Sequence, residues 1–125
     1  MMSMQLCFDD PARAPGYRID QIAREVEVRQ CYPWSMRAFI ESLRAIGATI
    51  VRPGNRNPWK LAERITAPTL VIWGDRDKLI PARLAQRCAE TVQDGRLLML
   101  EGVGHTAQLE MPEQTARAML KLMIE

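Results

Sequence analysis

Two side chains in this 125-residue chain have the types and places that acid–base chemistry requires. One is Asp77, in the acidic loop Asp75-Arg76-Asp77, and the other is His105, the sole histidine. A carboxylate bonded to one imidazole nitrogen fixes the ring's tautomer and stabilises the imidazolium, leaving the other nitrogen free to act as a general base. The two residues occupy matching positions, each in the loop after an apolar run that closes on glycine. The first run is Thr69-Leu70-Val71-Ile72-Trp73-Gly74 and the second is Arg96-Leu97-Leu98-Met99-Leu100-Glu101-Gly102. Runs without polar alternation read as strands covered on both faces of a parallel sheet. In open α/β sheets, ligands and catalytic groups gather at the carboxyl ends of the strands. An acid just after a glycine is also ordinary turn chemistry, so the pairing with His105 gives the loop its interest.

The elements that must position this pair follow from spacing. Pro68 enters the first strand, which reads as central in its sheet, and Gly74 ends it by adopting backbone angles that other residues resist. Pro81 opens a helix with Leu84, Ala85, Cys88, Ala89 and Val92 on one face, Cys88 as a buried thiol, and Asp94-Gly95 as the stop. Strand, helix, strand predicts a right-handed crossover that brings both loops to one sheet edge. A last helix begins near Pro112, with Ala116, Met119, Leu120, Met123 and Ile124 along one side.

Upstream, residues 1–16 lack a period and read as loop or frayed terminus without chemistry. Ile19, Ile22, Ala23 and Val26 predict an amphipathic helix over 17–30. Met36, Phe39, Ile40, Leu43 and Ile46 predict a second, closed by Gly47, and both stripes read as core-facing. The stretch Arg52-Pro53-Gly54-Asn55-Arg56-Asn57-Pro58 is the strongest linker signal. Asn57 caps and Pro58 opens a short helix over 59–65 that leads into the first strand. Trp73 belongs to the core strand, and Trp34 and Trp59 are expected to pack against helices.

With 17 basic and 15 acidic residues the net charge is +2, and no basic run points to nucleic acid. Cys7, Cys31 and Cys88 are odd in number and far apart, which indicates neither a disulfide framework nor a zinc site and fits a reducing cytoplasm. No secretory signal or membrane-spanning run is present. The sequence holds no phosphate loop, metal cluster or dinucleotide fingerprint, so no cofactor or metal is implied.

The run from Ala67 to Asp77, then Ile80-Pro81, Gly102-Val103-Gly104-His105 and Glu110-Met111-Pro112-Glu113, resembles the C-terminal part of an α/β-hydrolase-fold protein. The resemblance covers residues 57–125. It implies an α/β fold class with about two parallel strands and flanking helices, preceded by a helical cap-like segment over 1–56. It also implies that Asp77 and His105 are the acid and histidine of a hydrolytic triad, with Asp75 the weaker acid candidate. The order acid before histidine agrees with the fold.

That family's nucleophile stands upstream, in a Gly-x-Ser-x-Gly elbow that these 125 residues do not contain. Ser3, Ser35 and Ser42 lack the flanking glycines, Cys7 and Cys31 lack the context, and Asp9 and Asp10 are unsupported as an aspartate nucleophile. The expectation is a truncated or split hydrolase that acts on an ester or related bond when complete. Its exposed sheet edge should self-associate, dock a chain bearing the N-terminal half, or leave the chain marginally stable. The alternative is a non-catalytic interaction module, or a degenerate fragment, pairing through that edge.

Overall fold

The structure, a computed structural model, describes residues 2–125, and side chains from Gln5 onward. The chain folds into two compact units, one of Gly16–Glu63 and the other of the residues up to Pro15 together with Arg64–Glu125.

In the second of these units, β1 (Thr69–Gly74) and β2 (Gly95–Leu100) pair in parallel, with Thr69 opposite Gly95 and Gly74 opposite Leu100. The crossover between them carries α5 (Leu84–Thr91), which packs on both strands, with Ala85 and Ala89 buried. Pro81 does not open this helix as the sequence suggests. Its carbonyl accepts the Leu84 N–H at 3.0 Å in a tight turn, and the α-helical ladder starts only after it. Beyond β2 the chain forms a short helix α6 (Ala107–Glu110), which the sequence pattern did not announce, and then α7 (Pro112–Ile124). Leu100, Val103 and Ala107 form the core, with Ile72, Leu98 and Met111 packed against it.

The strands are less covered than their composition predicts. Thr69 to Trp73 are half-buried and Met99 is exposed, because among the described residues β1 and β2 pair only with each other. Cys88 is half-buried rather than enclosed, and burial pushes its thiol above the usual range despite the nearby Arg87 charge.

The reading of the first sixteen residues as loop is corrected, although residue 1 and the Ser3 side chain lie outside the described residues. A helix, α1 (Met2–Cys7), is followed by a 3-10 turn over Pro11–Arg13 that the Asp10 side chain caps. Phe8 and Ala14 are buried in this unit. A large ring followed by short-range caps has no period, so a pattern search passes over it.

The Gly16–Glu63 unit holds α2 (Gly16–Gln30), α3 (Ser35–Ile50) and α4 (Pro58–Ala62), the last capped by the Asn57 side chain as its sequence predicts. Helix α3 runs through Gly47 to Ile50, so Gly47 is not its stop, and α4 ends short of Ile65. The apolar stripes are not core-facing. Val26, Met36, Phe39, Ile40, Leu43 and Ile46 are exposed, because no third layer within this unit covers the α2–α3 pair. Trp34 is exposed too and stacks on Tyr32, with ring centroids 5.1 Å apart.

Candidate active site

Parallel pairing in register places the ends of β1 and β2 side by side, so the loops that follow them emerge together. The backbone cross-ties the two. The N–H of Asp75 donates to the Leu100 carbonyl and that of Arg76 to the Val103 carbonyl, each at 3.0 Å. Gly74 and Gly102 fit here for different reasons. Gly102 has φ of +67°, in the left-handed region. Gly74 is absent from that region, which corrects the reading of its role. A Cβ on it would collide with the carbonyl oxygens of Val103 and Gly104, so it serves the close approach of the two loops.

The structure separates the two acids of the loop. Asp75 accepts from the backbone N–H of Gly102 at 2.7 Å and of Val103 at 3.3 Å, so its carboxylate binds loop to loop. Asp77 uses one oxygen, Oδ1, for the N–H groups of Leu79 at 2.8 Å and Ile80 at 2.9 Å. Its other oxygen, Oδ2, stands 2.8 Å from Nδ1 of His105. The Asp77 side chain is 4% exposed and that of His105 37%, so the acid is enclosed while the ring reaches solvent. The Nε2 atom carries no partner among the described residues.

Burial pushes the Asp77 carboxyl up, but the Ile80 N–H, the His105 hydrogen bond, the Leu79 N–H and the imidazole charge together outweigh it. The net result is a value below the usual 3.8. A carboxylate with a lowered folded-state pKa contributes stability that is complete above the unfolded value and disappears as pH falls through the folded one. The wild-type chain is therefore expected to lose, in acid melts below about pH 4, the stability advantage it holds over Asp77→Asn near neutrality. A difference between the two that stays constant from neutral pH into acid would refute this account of Asp77.

The contacts of two further acids escape the sequence reading. Asp9 points its carboxylate at Arg76, 3.1 Å away, and Lys78, 3.8 Å away, the residues flanking Asp77. Glu110 is buried at 3% exposure, with its carboxylate turned to backbone N–H groups. An acid at the end of the segment between His105 and Pro112 was the available signal. Among the described residues no group of three His, Cys, Asp or Glu side chains is placed to hold a metal ion, and no helix is long and apolar enough to cross a membrane.

Comparison with known proteins agrees with this architecture. The family model described as TAP-like protein, an α/β-hydrolase model, matches residues 27–122. A 2-hydroxy-6-oxononadienedioate/2-hydroxy-6-oxononatrienedioate hydrolase of a Pseudomonas species is 35% identical over 78 residues, 62% of this chain and 25% of that protein. Lipase 3 of Moraxella sp. strain TA144 is 32% identical over 57 residues, 46% of this chain and 18% of the lipase. Among solved structures, the 2-hydroxy-6-oxo-6-phenylhexa-2,4-dienoate hydrolase of Rhodococcus sp. strain RHA1 superposes with a TM-score of 0.73 at 21% identity. It covers 98% of this chain and 42% of that one. A putative lipase of Acinetobacter baumannii AYE gives a TM-score of 0.70 at 24% identity over 97% of this chain and 40% of its own. The chain thus spans a quarter or less of these relatives and about two fifths of these structures. Two parallel strands, a crossover helix and the matched family model together establish that this chain belongs to the α/β-hydrolase family, of which it carries a C-terminal part of the fold.

Proposed function

We propose that this chain supplies the acid and the histidine of a hydrolytic triad, Asp77 and His105, to an α/β-hydrolase that cleaves an ester or related bond. The nucleophile comes from outside these 125 residues. The observation that carries the reading is the 2.8 Å contact between an enclosed carboxylate and a partly exposed imidazole whose other nitrogen has no partner among the described residues. Asp77 accepts a hydrogen bond from Nδ1–H, which keeps the ring proton on Nδ1 and leaves Nε2 as the acceptor. That nitrogen takes the proton of the attacking hydroxyl or thiol and returns it to the leaving group. It then activates water for the second half of the reaction. The names of the relatives, lipases and a dienedioate hydrolase, support hydrolysis as the reaction class.

The half-exposed apolar strands support completion by further strands. In this reading residues 16–56 of the cap expected over 1–56 form the helical cap and 57–125 the catalytic core, with the residues up to Pro15 folded together with Arg64–Glu125. The isolated chain is expected to show no turnover of p-nitrophenyl acetate that depends on His105, since loss of one triad member removes several orders of magnitude in rate. A fluorophosphonate probe should label a nucleophile only after a half bearing the Gly-x-Ser-x-Gly elbow is supplied. Turnover by the 125-residue chain alone, abolished by His105→Ala, would overturn the external nucleophile. Stable pairing with such a half that restores no activity would favour the non-catalytic module.

A further inference from the structure

We infer that Glu110 is a positioning residue that locks the His105 loop to the Cys7–Arg13 segment, so that this segment and the proposed base form one mechanical unit. The inference rests on the reading of His105 as that base and extends it to residues for which the sequence offered no chemistry.

Glu110 is 3% exposed, and its carboxylate makes no ion pair among the described residues. Instead it accepts three backbone N–H groups. Oε1 takes Gly104 at 2.8 Å and Asp9 at 3.2 Å, and Oε2 takes Asp10 at 2.9 Å. Gly104 immediately precedes His105. The residue that follows, Thr106, is held by the same segment, because its N–H and its hydroxyl both donate to the Cys7 carbonyl, at 3.0 and 3.1 Å. His105 is therefore bracketed on both sides by bonds that end on residues 7–10 or pass through Glu110 to them.

The contact is close enough to dictate residue type. A Cβ on Gly104 would stand 2.5 Å from the Asp9 nitrogen, 2.8 Å from the Phe8 carbonyl carbon and 2.9 Å from the Cys7 oxygen. Phe8 anchors the segment at 4% exposure, and Arg13 donates to the Gly102 carbonyl at 2.6 Å. Asp9 reaches Arg76 and Lys78 on either side of Asp77, so the segment grips the acid loop as well as the base loop.

A carboxylate is the group this junction needs. It offers acceptors on both oxygens, whereas the amide of Gln has one acceptor and one donor. Glu110→Gln keeps the Oε1 bonds and turns an N–H group toward the Asp10 N–H, or it flips and abandons Gly104 and Asp9. Either way the three bonds no longer coexist.

Because His105 is the sole histidine, nuclear magnetic resonance of the 125-residue chain reads its ring without overlap. In Glu110→Gln, amide exchange at Asp10, or at Gly104 and Asp9, is expected to rise on the order of tenfold or more. The Nδ1–H resonance of His105 should broaden, while exchange in β1, β2 and α5 stays within about twofold of wild type. If the amides and the ring signal are unchanged, or if every element loosens in proportion, Glu110 is not a positioning residue. Should the variant fail to fold, the wild type still decides: the Asp9, Asp10 and Gly104 amides are expected to exchange within about threefold of one another as one opening unit. Differences beyond about tenfold would overturn the coupling. A wild-type His105 that lacks a bonded Nδ1–H resonance would sink the triad reading instead, and leave the amide test of Glu110 standing.

Discussion

In the hydrolase proposed above, Asp77→Asn is expected to lower kcat about 10⁴-fold, the loss seen when the acid of a Ser-His-Asp triad becomes an amide. The substitution leaves the loop in place, since the Asn carbonyl can still accept the Leu79 and Ile80 N–H groups that Asp77 Oδ1 holds at 2.8 and 2.9 Å. What changes is the atom facing His105. An amide N–H₂ in the position of Oδ2, 2.8 Å from Nδ1, forces Nδ1 to accept. The ring proton then moves to Nε2, the nitrogen required to be a base, and the ring stands in place with the wrong tautomer. KM should change little, because Asp77 is enclosed and has no path to a substrate.

Asp75→Asn is the control. Its single working oxygen, Oδ1, accepts both the Gly102 and Val103 N–H groups, and an Asn carbonyl can do the same. Its cost in kcat is expected to stay below about tenfold. A larger loss from Asp75→Asn than from Asp77→Asn would reverse the assignment of the acid.

The two acids also mark how far sequence reading reached. The apolar runs before Asp75 and His105 announced the strands, and a shared sheet edge followed from a crossover between them. Those inferences needed only side-chain pattern and the chirality of α/β units. Choosing Asp77 over Asp75 drew on resemblance, since both acids sit in one turn. Backbone N–H direction separates them in space, and a sequence does not display it. Gly74 was read as a conformational residue because a strand-ending glycine usually is one. Its actual constraint is the proximity of a loop some thirty residues on. The roles of Glu110 and of the segment around Phe8 stayed unseen for the same reason. Their order comes from contacts of 100 and 101 residues in separation, which no local period encodes. The exposed stripes of α2 and α3 show the converse, where amphipathic spacing predicts a partner surface that the Gly16–Glu63 unit does not itself supply.

Gly74→Ala is expected to destabilise the strand–loop unit by about 3 kcal/mol or more, at the upper end of overpacking in a tight site. The added methyl would fall on the carbonyl oxygens of Val103 and Gly104. Those are backbone atoms, so no rotamer change makes room. Relief requires β1 and the His105 loop to move apart, which strains the Asp75–Leu100 and Arg76–Val103 backbone bonds, both at 3.0 Å. Gly54→Ala supplies the contrast within one chain. Gly54 has φ of +69°, and a Cβ there meets nothing within 4 Å, so only the left-handed backbone penalises it. That costs about 1–2 kcal/mol. Chemical denaturation of both variants distinguishes crowding from conformation. The histidine signal distinguishes them again, because Gly74→Ala should disturb the His105–Asp77 hydrogen bond and Gly54→Ala should leave it intact. If Gly74→Ala costs no more than Gly54→Ala, the two strand-end loops are not in the contact that sets His105 against Asp77.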